Sequence, residues 1–282
     1  MQEQPLVSQF VPVLTSDAGS CLTVANWLQA GIYTAAFYLE ELLMKPGKDV
    51  LLSLPDLRSH YAWPGTVVLN AVFSVTPKEG EYRIHSHYDG QRITVDVKTL
   101  FLLITQLKPD YVVLSQQDYE RFECLRLRLT AGVFLETVKE TGKKTNRDAP
   151  RIFNYLTPPG DETAADESGS LLYSRLDTFQ FDSSIPRSNG TPLWLETDKP
   201  AADGMKGCFY HHEGIGQILD AACQEQFQAL DEQCPCLTCT DGYTRAYLHH
   251  LLMNTPLLAQ RFLIRHNVGF FQRYIRACYA DR

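Results

Sequence analysis

Three cysteines fall within six residues, Cys234-Pro235-Cys236-Leu237-Thr238-Cys239, and His266 lies on the helical segment that follows. Three thiolates and one imidazole make the full ligand set of a closed tetrahedral zinc centre. A closed centre has no open position for a substrate, so this spacing predicts a structural Zn2+ that pins a terminal subdomain. His249 and His250 are the alternative imidazoles near the cluster. His211 and His212, near Cys208, lack a further ligand at metal spacing and read as a turn. His85 and His87 alternate along a strand and share one side.

The remaining cysteines (Cys21, Cys124, Cys208, Cys223, Cys278) are scattered. With a polar, acidic start at Met1-Gln2-Glu3-Gln4, this favours a reducing, cytoplasmic setting over a disulfide framework. No apolar run reaches the ~18 residues of a membrane span. The net charge of −7 argues against bulk nucleic-acid affinity, and no DNA partner is expected. Locally the balance reverses: Arg245, Arg261, Arg265, Arg273, Arg276 and Arg282 face only Asp241 and Asp281 after Thr240. That stripe is either phosphate-facing or a solvated helix face.

The elements that must carry these residues read as α/β. Short strands are expected at 9–14, 67–75, 111–115 and 151–156, with a hairpin of 82–87 and 92–97 turning at Asp89-Gly90. Helices are expected at 97–107, 121–140, 217–230, 243–253 and 257–279. The acidic stretch 158–170 reads as a connection without periodicity. Residues 182–203 read as turn-rich. Helix-then-strand order is that of a βα-barrel or doubly wound sheet. The expected division is a barrel-like domain, 1–205, and a zinc-binding helical subdomain, 206–282.

The cysteine cluster, Thr244-Arg245-Ala246-Tyr247-Leu248-His249-His250-Leu251 and Arg265-His266-Asn267 together resemble the tRNA-guanine (queuine) transglycosylase family. Phe10-Val11-Pro12-Val13, Lys45-Pro46-Gly47, Ser86 to Gly90, Lys108 to Val113 and Phe181-Asp182 to Pro186 extend the resemblance more weakly. It implies a TIM barrel with a C-terminal zinc insertion, base exchange in tRNA, and a carboxylate nucleophile that forms a glycosyl intermediate. It also implies dimer interfaces involving the zinc region, and it places His249 and His250 on a packed helix.

Measured against that family, the chain has departures. The stretch Val68-Leu69-Asn70-Ala71-Val72-Phe73-Ser74 lacks an aspartate and a glycine pair, Gln116 replaces a base-gripping aspartate, and prolines follow Ile152 to Thr157. Asp182 alone matches the nucleophile, with Asp118 or Asp89 as a shifted base residue. Roughly sixty residues separate Ser115 from Asp182, so about two βα units are expected to be missing. The resulting expectation is an incomplete or rearranged barrel with a covered edge. It extends to a shortened, degenerate and catalytically inactive relative serving as a non-catalytic subunit or adaptor beside a protein partner. A residual transglycosylase using Asp182 is the alternative reading, as is a tRNA-binding partner of a catalytic transglycosylase.

Overall fold

A computed structural model describes residues 7–136, 151–156, 171–177 and 191–280, with side chains left undescribed at 136, 151–156 and 280. In chain order the elements are β1 (Gln9–Val11), α1 (Val24–Gln29), β2 (Thr34–Tyr38), α2 (Leu39–Leu42), α3 (Lys48–Ser53), α4 (Leu57–Tyr61), β3 (Thr66–Asn70), β4 (Glu81–His85), β5 (Arg92–Asp96), α5 (Val97–Leu107), β6 (Tyr111–Leu114), α6 (Gln116–Cys124), β7 (Gly132–Glu136), β8 (Arg151–Leu156), β9 (Leu172–Arg175), β10 (Leu193–Glu196), α7 (Lys199–Met205), β11 (Cys208–His211), β12 (Gly214–Gln217), α8 (Leu237–Thr240), α9 (Arg245–Asn254) and α10 (Pro256–Ala280).

Eight strands form one sheet in the order β1-β10-β9-β8-β7-β6-β3-β2. The end strands meet: Ala36 N–H donates to the Pro12 carbonyl at 2.8 Å, and Leu14 N–H to the Ala36 carbonyl at 2.9 Å. The expected open edge is therefore absent. The expected rearrangement is present, because β8 runs antiparallel to both β7 and β9 while the other pairs are parallel. Antiparallel neighbours need no crossover helix. That is how a short chain reaches eight strands without the two βα units that seemed missing.

Alternation along the strands sorts two cores. Phe10, Ala35, Phe37, Val67, Leu69, Val112, Leu114, Val133 and Leu135 face outward into the main core under the helices. Val11, Ala36, Val68, Val113, Phe134, Tyr173 and Trp194 face inward. Their rings fill the interior: Phe134 stacks on Tyr173 at 4.7 Å and on Tyr111 at 5.4 Å, and Tyr111 meets Trp194 at 5.0 Å.

Three expectations fail. The run 121–140 splits into α6 and β7, because a strand buried on both faces has the continuous apolar character of a buried helix. The turn-rich 182–203 holds β10, a fully buried sheet strand, and α7. The stretch 217–230 is no helix beyond a short 3-10 turn at Ala221–Glu225. By contrast α5, the β4–β5 hairpin, and the α9/α10 break at Pro256 fall where expected.

The C-terminal helix α10 joins the two parts. Phe10 meets Phe271 edge-on at 5.0 Å, and the Phe10 N–H donates to the Gln272 side chain at 3.1 Å. Against α7, a Cβ on Gly204 would sit 2.8 Å from the Ile264 backbone nitrogen, so only glycine allows that crossing. Ile264, Val268, Phe271 and Ile275 thus belong to the main core, while Phe209, Ile218, Leu230, Leu248 and Leu263 make a smaller one beside the cysteines. Among the described residues no helix is long and apolar enough to cross a membrane.

Candidate metal centre and barrel mouth

The cysteine cluster sits on a loop that enters α8, and α10 lies across it. The Cys239 N–H bonds to the Cys236 carbonyl at 3.0 Å, and the buried Thr238 hydroxyl to the Phe262 carbonyl on α10 at 3.1 Å. Ligand atoms of Cys234, Cys236, Cys239 and His266 all lie within 4.8 Å of one another. His266 Nδ1 stands 3.4 Å from Cys236 Sγ and 3.3 Å from Cys239 Sγ. Ideal tetrahedral zinc bond lengths would place such a pair roughly 3.6 Å apart. The donor set therefore fits zinc, and the four residues expected from spacing converge.

The imidazole is aimed by its other nitrogen. Nε2 lies 2.6 Å from the Tyr210 carbonyl, which can only accept, so Nε2 carries the proton and Nδ1 is free to ligate. Asn267, the next residue, holds the same strand: its Oδ1 accepts from Tyr210 N–H at 2.9 Å, and its Nδ2 donates to the Cys208 carbonyl at 3.0 Å. The His-Asn pair thus fixes a ligand and the β-strand that orients it. Among the thiols, Cys236 is held down to about 3 by hydrogen bonds from Cys234 and Cys239, while hydrogen bonds to Cys234 and Cys236 raise Cys239. Sulfurs this close favour a thiolate, the form a metal takes.

Three of the six arginines are engaged within the fold. Arg245 donates to the carbonyls of Ala229 and Leu230 and to Gln226, with its guanidinium 4.8 Å from the Phe209 ring centre. Arg261 bonds to Asn26, and Arg273 to Cys234. His250 is exposed, contrary to the packed histidine expected, and the exposed His212 pairs with Asp231 at 3.4 Å.

Residues at the C-terminal ends of the parallel strands build a second centre that no local motif announced. Glu196, at the end of β10, is fully buried inside the barrel. It accepts from the hydroxyls of Tyr38 and Tyr173, each at 2.5 Å, and from the Asn70 amide at 3.1 Å. Arg175 Nε lies 3.8 Å from it, 2.9 Å from Asp177, and its guanidinium is 5.0 Å from the Tyr38 ring centre. Burial and then the Glu196 charge hold both tyrosine hydroxyls well above their usual range, so both remain donors.

Beside this layer a cleft opens, with neighbouring cavities of about 500 and 400 Å³ that share Ser16, Glu41, Asp198, Ala202 and Lys206. Ser16 donates to Asp198 at 2.7 Å. Burial pushes the Asp198 carboxyl up to about 6.

Other sequence candidates take different roles. Asp118 is buried, accepting from the Tyr82 hydroxyl of the β4–β5 hairpin at 2.6 Å and from the Ser115 hydroxyl at 2.8 Å, while Ser115 caps α6 by accepting from the Asp118 N–H at 3.1 Å. Asp89 sits in an exposed turn, and Gln116 bonds to Glu120 on the surface of α6. Asp182 lies outside the described residues.

Fold and site together define an α/β protein with an eight-stranded, mainly parallel sheet and a Cys3His metal centre. Residues 181–279 match the family model described as queuine tRNA-ribosyltransferase. A queuine tRNA-ribosyltransferase of Sorangium cellulosum is 24% identical over 96% of this chain and 80% of its own length. One of Gluconacetobacter diazotrophicus is 24% identical over 95% and 81%. One of Prochlorococcus marinus reaches 45%, over 28% of this chain and 21% of its own length. The chain fits a member of the queuine tRNA-ribosyltransferase family, at low identity over most of its length and with the matched segment spanning all four metal ligands.

One expectation is overturned by these matches. The chain was expected not to be an enzyme, yet the relatives that cover most of it carry an enzyme's name. Loss of a glycine pair and an aspartate from one strand end does not establish loss of chemistry, and nothing in the described residues marks the chain as inactive.

Proposed function

We propose that the chain takes part in base exchange on tRNA, with Asp182 as nucleophile and zinc as a structural staple. In this reading the carboxylate attacks ribose C1′, the C1′–N bond to the outgoing base breaks, and an incoming base displaces the carboxylate. The outgoing base leaves with a proton taken from Asp198, and the N–H proton that the incoming base loses on attacking C1′ returns to it. Asp198, neutral more readily than an ordinary aspartate, is the cleft's proton carrier.

The observation that carries the reading is the family match over residues 181–279, which includes Asp182 and every metal ligand. The mouth supports it with a buried, fully bonded carboxylate and a cleft lined by acid, base and hydroxyl groups. A protein partner belongs to the proposal: Met253, Leu257 and Leu258 leave an apolar corner exposed where α9 meets α10.

The test is incorporation of radiolabelled guanine into tRNA. It is run on the zinc-loaded chain alone and on the chain recovered from its host with co-purifying proteins. Label that Asp182→Ala abolishes supports the reading. Label that Asp182→Ala leaves unchanged removes Asp182 from it, and no label in either preparation refutes base exchange.

A further inference from the structure

One face of α10 looks onto the metal loop at helical spacing through His266, Gly269 and Arg273. His266 reaches Cys236 and Cys239. Gly269 leaves room: a Cβ there would lie 3.8 Å from Cys236 Cβ and 3.4 Å from Arg273 Nη1. One turn on, Arg273 Nη2 stands 2.8 Å from Cys234 Sγ. The same helix therefore addresses all three cysteines, two through an imidazole and the third through a guanidinium.

The charge arithmetic gives this contact a purpose. A divalent ion held by three thiolates and a neutral imidazole has a net charge of −1. Cys234 is buried, so that surplus charge is shielded from water. An uncompensated buried charge is strongly unfavourable, whereas a hydrogen-bonded cation offsets it. The guanidinium stays charged under all ordinary conditions, and its N–H is directed at sulfur.

We propose that Arg273 is a positioning residue of the metal centre. It compensates the surplus thiolate charge at Cys234, holds that sulfur in the ligating geometry, and so sets how tightly the metal is retained. The proposal rests on the zinc reading alone and is independent of any activity toward tRNA.

The experiment uses the full chain with three single variants, Arg273→Met, Arg273→Gln and, as a control on the same helix, the exposed Arg276→Met. Zinc affinity is measured by competition with a chromogenic chelator. Cobalt substitution gives the second readout, the thiolate-to-cobalt charge-transfer band. Loss of an outer partner of a metal ligand typically weakens binding about 10- to 100-fold. Arg273→Met and Arg273→Gln should both show that loss and move the charge-transfer band, while Arg276→Met does neither.

Parent-like affinity and an unmoved band in Arg273→Gln would overturn the proposal, even if Arg273→Met fails to fold. An equal loss in Arg276→Met would overturn it too, because the effect would then belong to general helix charge. A chain that binds no zinc in any form would sink the zinc reading itself, an outcome separable from the others by the parent protein.

Discussion

Replacing Glu196 by alanine tests whether the barrel mouth is held together by one carboxylate. Three donors converge on it: two tyrosine hydroxyls at 2.5 Å and the Asn70 amide at 3.1 Å. Hydrogen bonds to a charged group contribute about 1.5–3 kcal/mol each. They do not simply add, because Tyr38 and Arg175 border the cleft and can turn to water once the carboxylate is gone. Tyr173 and Asn70 are buried and have no such escape. Leaving those two buried donors unsatisfied costs about 1–3 kcal/mol each. For a chain of this size, each kcal/mol moves Tm by about 2–4 °C, so Glu196→Ala should melt about 10 °C below the parent.

Glu196→Gln keeps the shape but puts an N–H among donors, since Asn70 Oδ1 already accepts from Val72 N–H. It should cost about 1–3 kcal/mol. Thermal melts by circular dichroism, with Tyr173→Phe completing a double-mutant cycle, measure the effect. An alanine variant melting within a degree or two of the parent, or a cycle with no coupling between Glu196 and Tyr173, would refute the reasoning.

Two further outcomes follow from the site geometry. Because the ligands join the α8 loop to α10, chelating the metal should loosen the C-terminal third first. Hydrogen exchange should show lost protection across 234–254 while β2, β3 and β6 stay protected, and uniform protection after effective removal would contradict this. For Asp198, the rise from 3.8 to about 6 means that the folded state binds the proton more tightly than the unfolded state. Stability from this group therefore grows as pH falls from 7 toward 4 and is lost as pH rises through about 6, by at most about 3 kcal/mol. Asp198→Asn should flatten that part of the profile in urea melts at pH 4.5 and 7.5, whereas an unchanged slope would place the pH dependence elsewhere.

The metal centre was legible in the sequence because its information is local. Three ligands lie in six residues, and the fourth sits beside an asparagine whose hydrogen bonds fix the strand that aims it. Helix α5 was equally legible, since it carries an aspartate cap and one apolar face. Strand β7 was not. Its residues are buried toward both the barrel interior and the outer helices, so no alternation separates it from a helix. The closure of the sheet depends on β1 meeting β2 and on the direction of β8, neither of which any residue pattern encodes.

The mouth shows why a missing motif misled the functional reading. The stretch Val68 to Ser74, which holds Asn70, was read as a strand end without its aspartate. In the fold the Asn70 amide donates to Glu196, a residue 126 positions away on another strand, which two tyrosines from β2 and β9 also reach. Glu196 sits in Leu193-Trp194-Leu195-Glu196, a run that reads as apolar with one acid and belongs to a stretch taken for turns. A polar centre assembled from residues on four strands leaves no spacing to detect. Each contributes one or two side chains, and only strand register brings them to one level of the barrel. Loss of acid at one strand end is thus compatible with acid supplied from another, and chemistry at such a mouth has to be judged from the assembled layer.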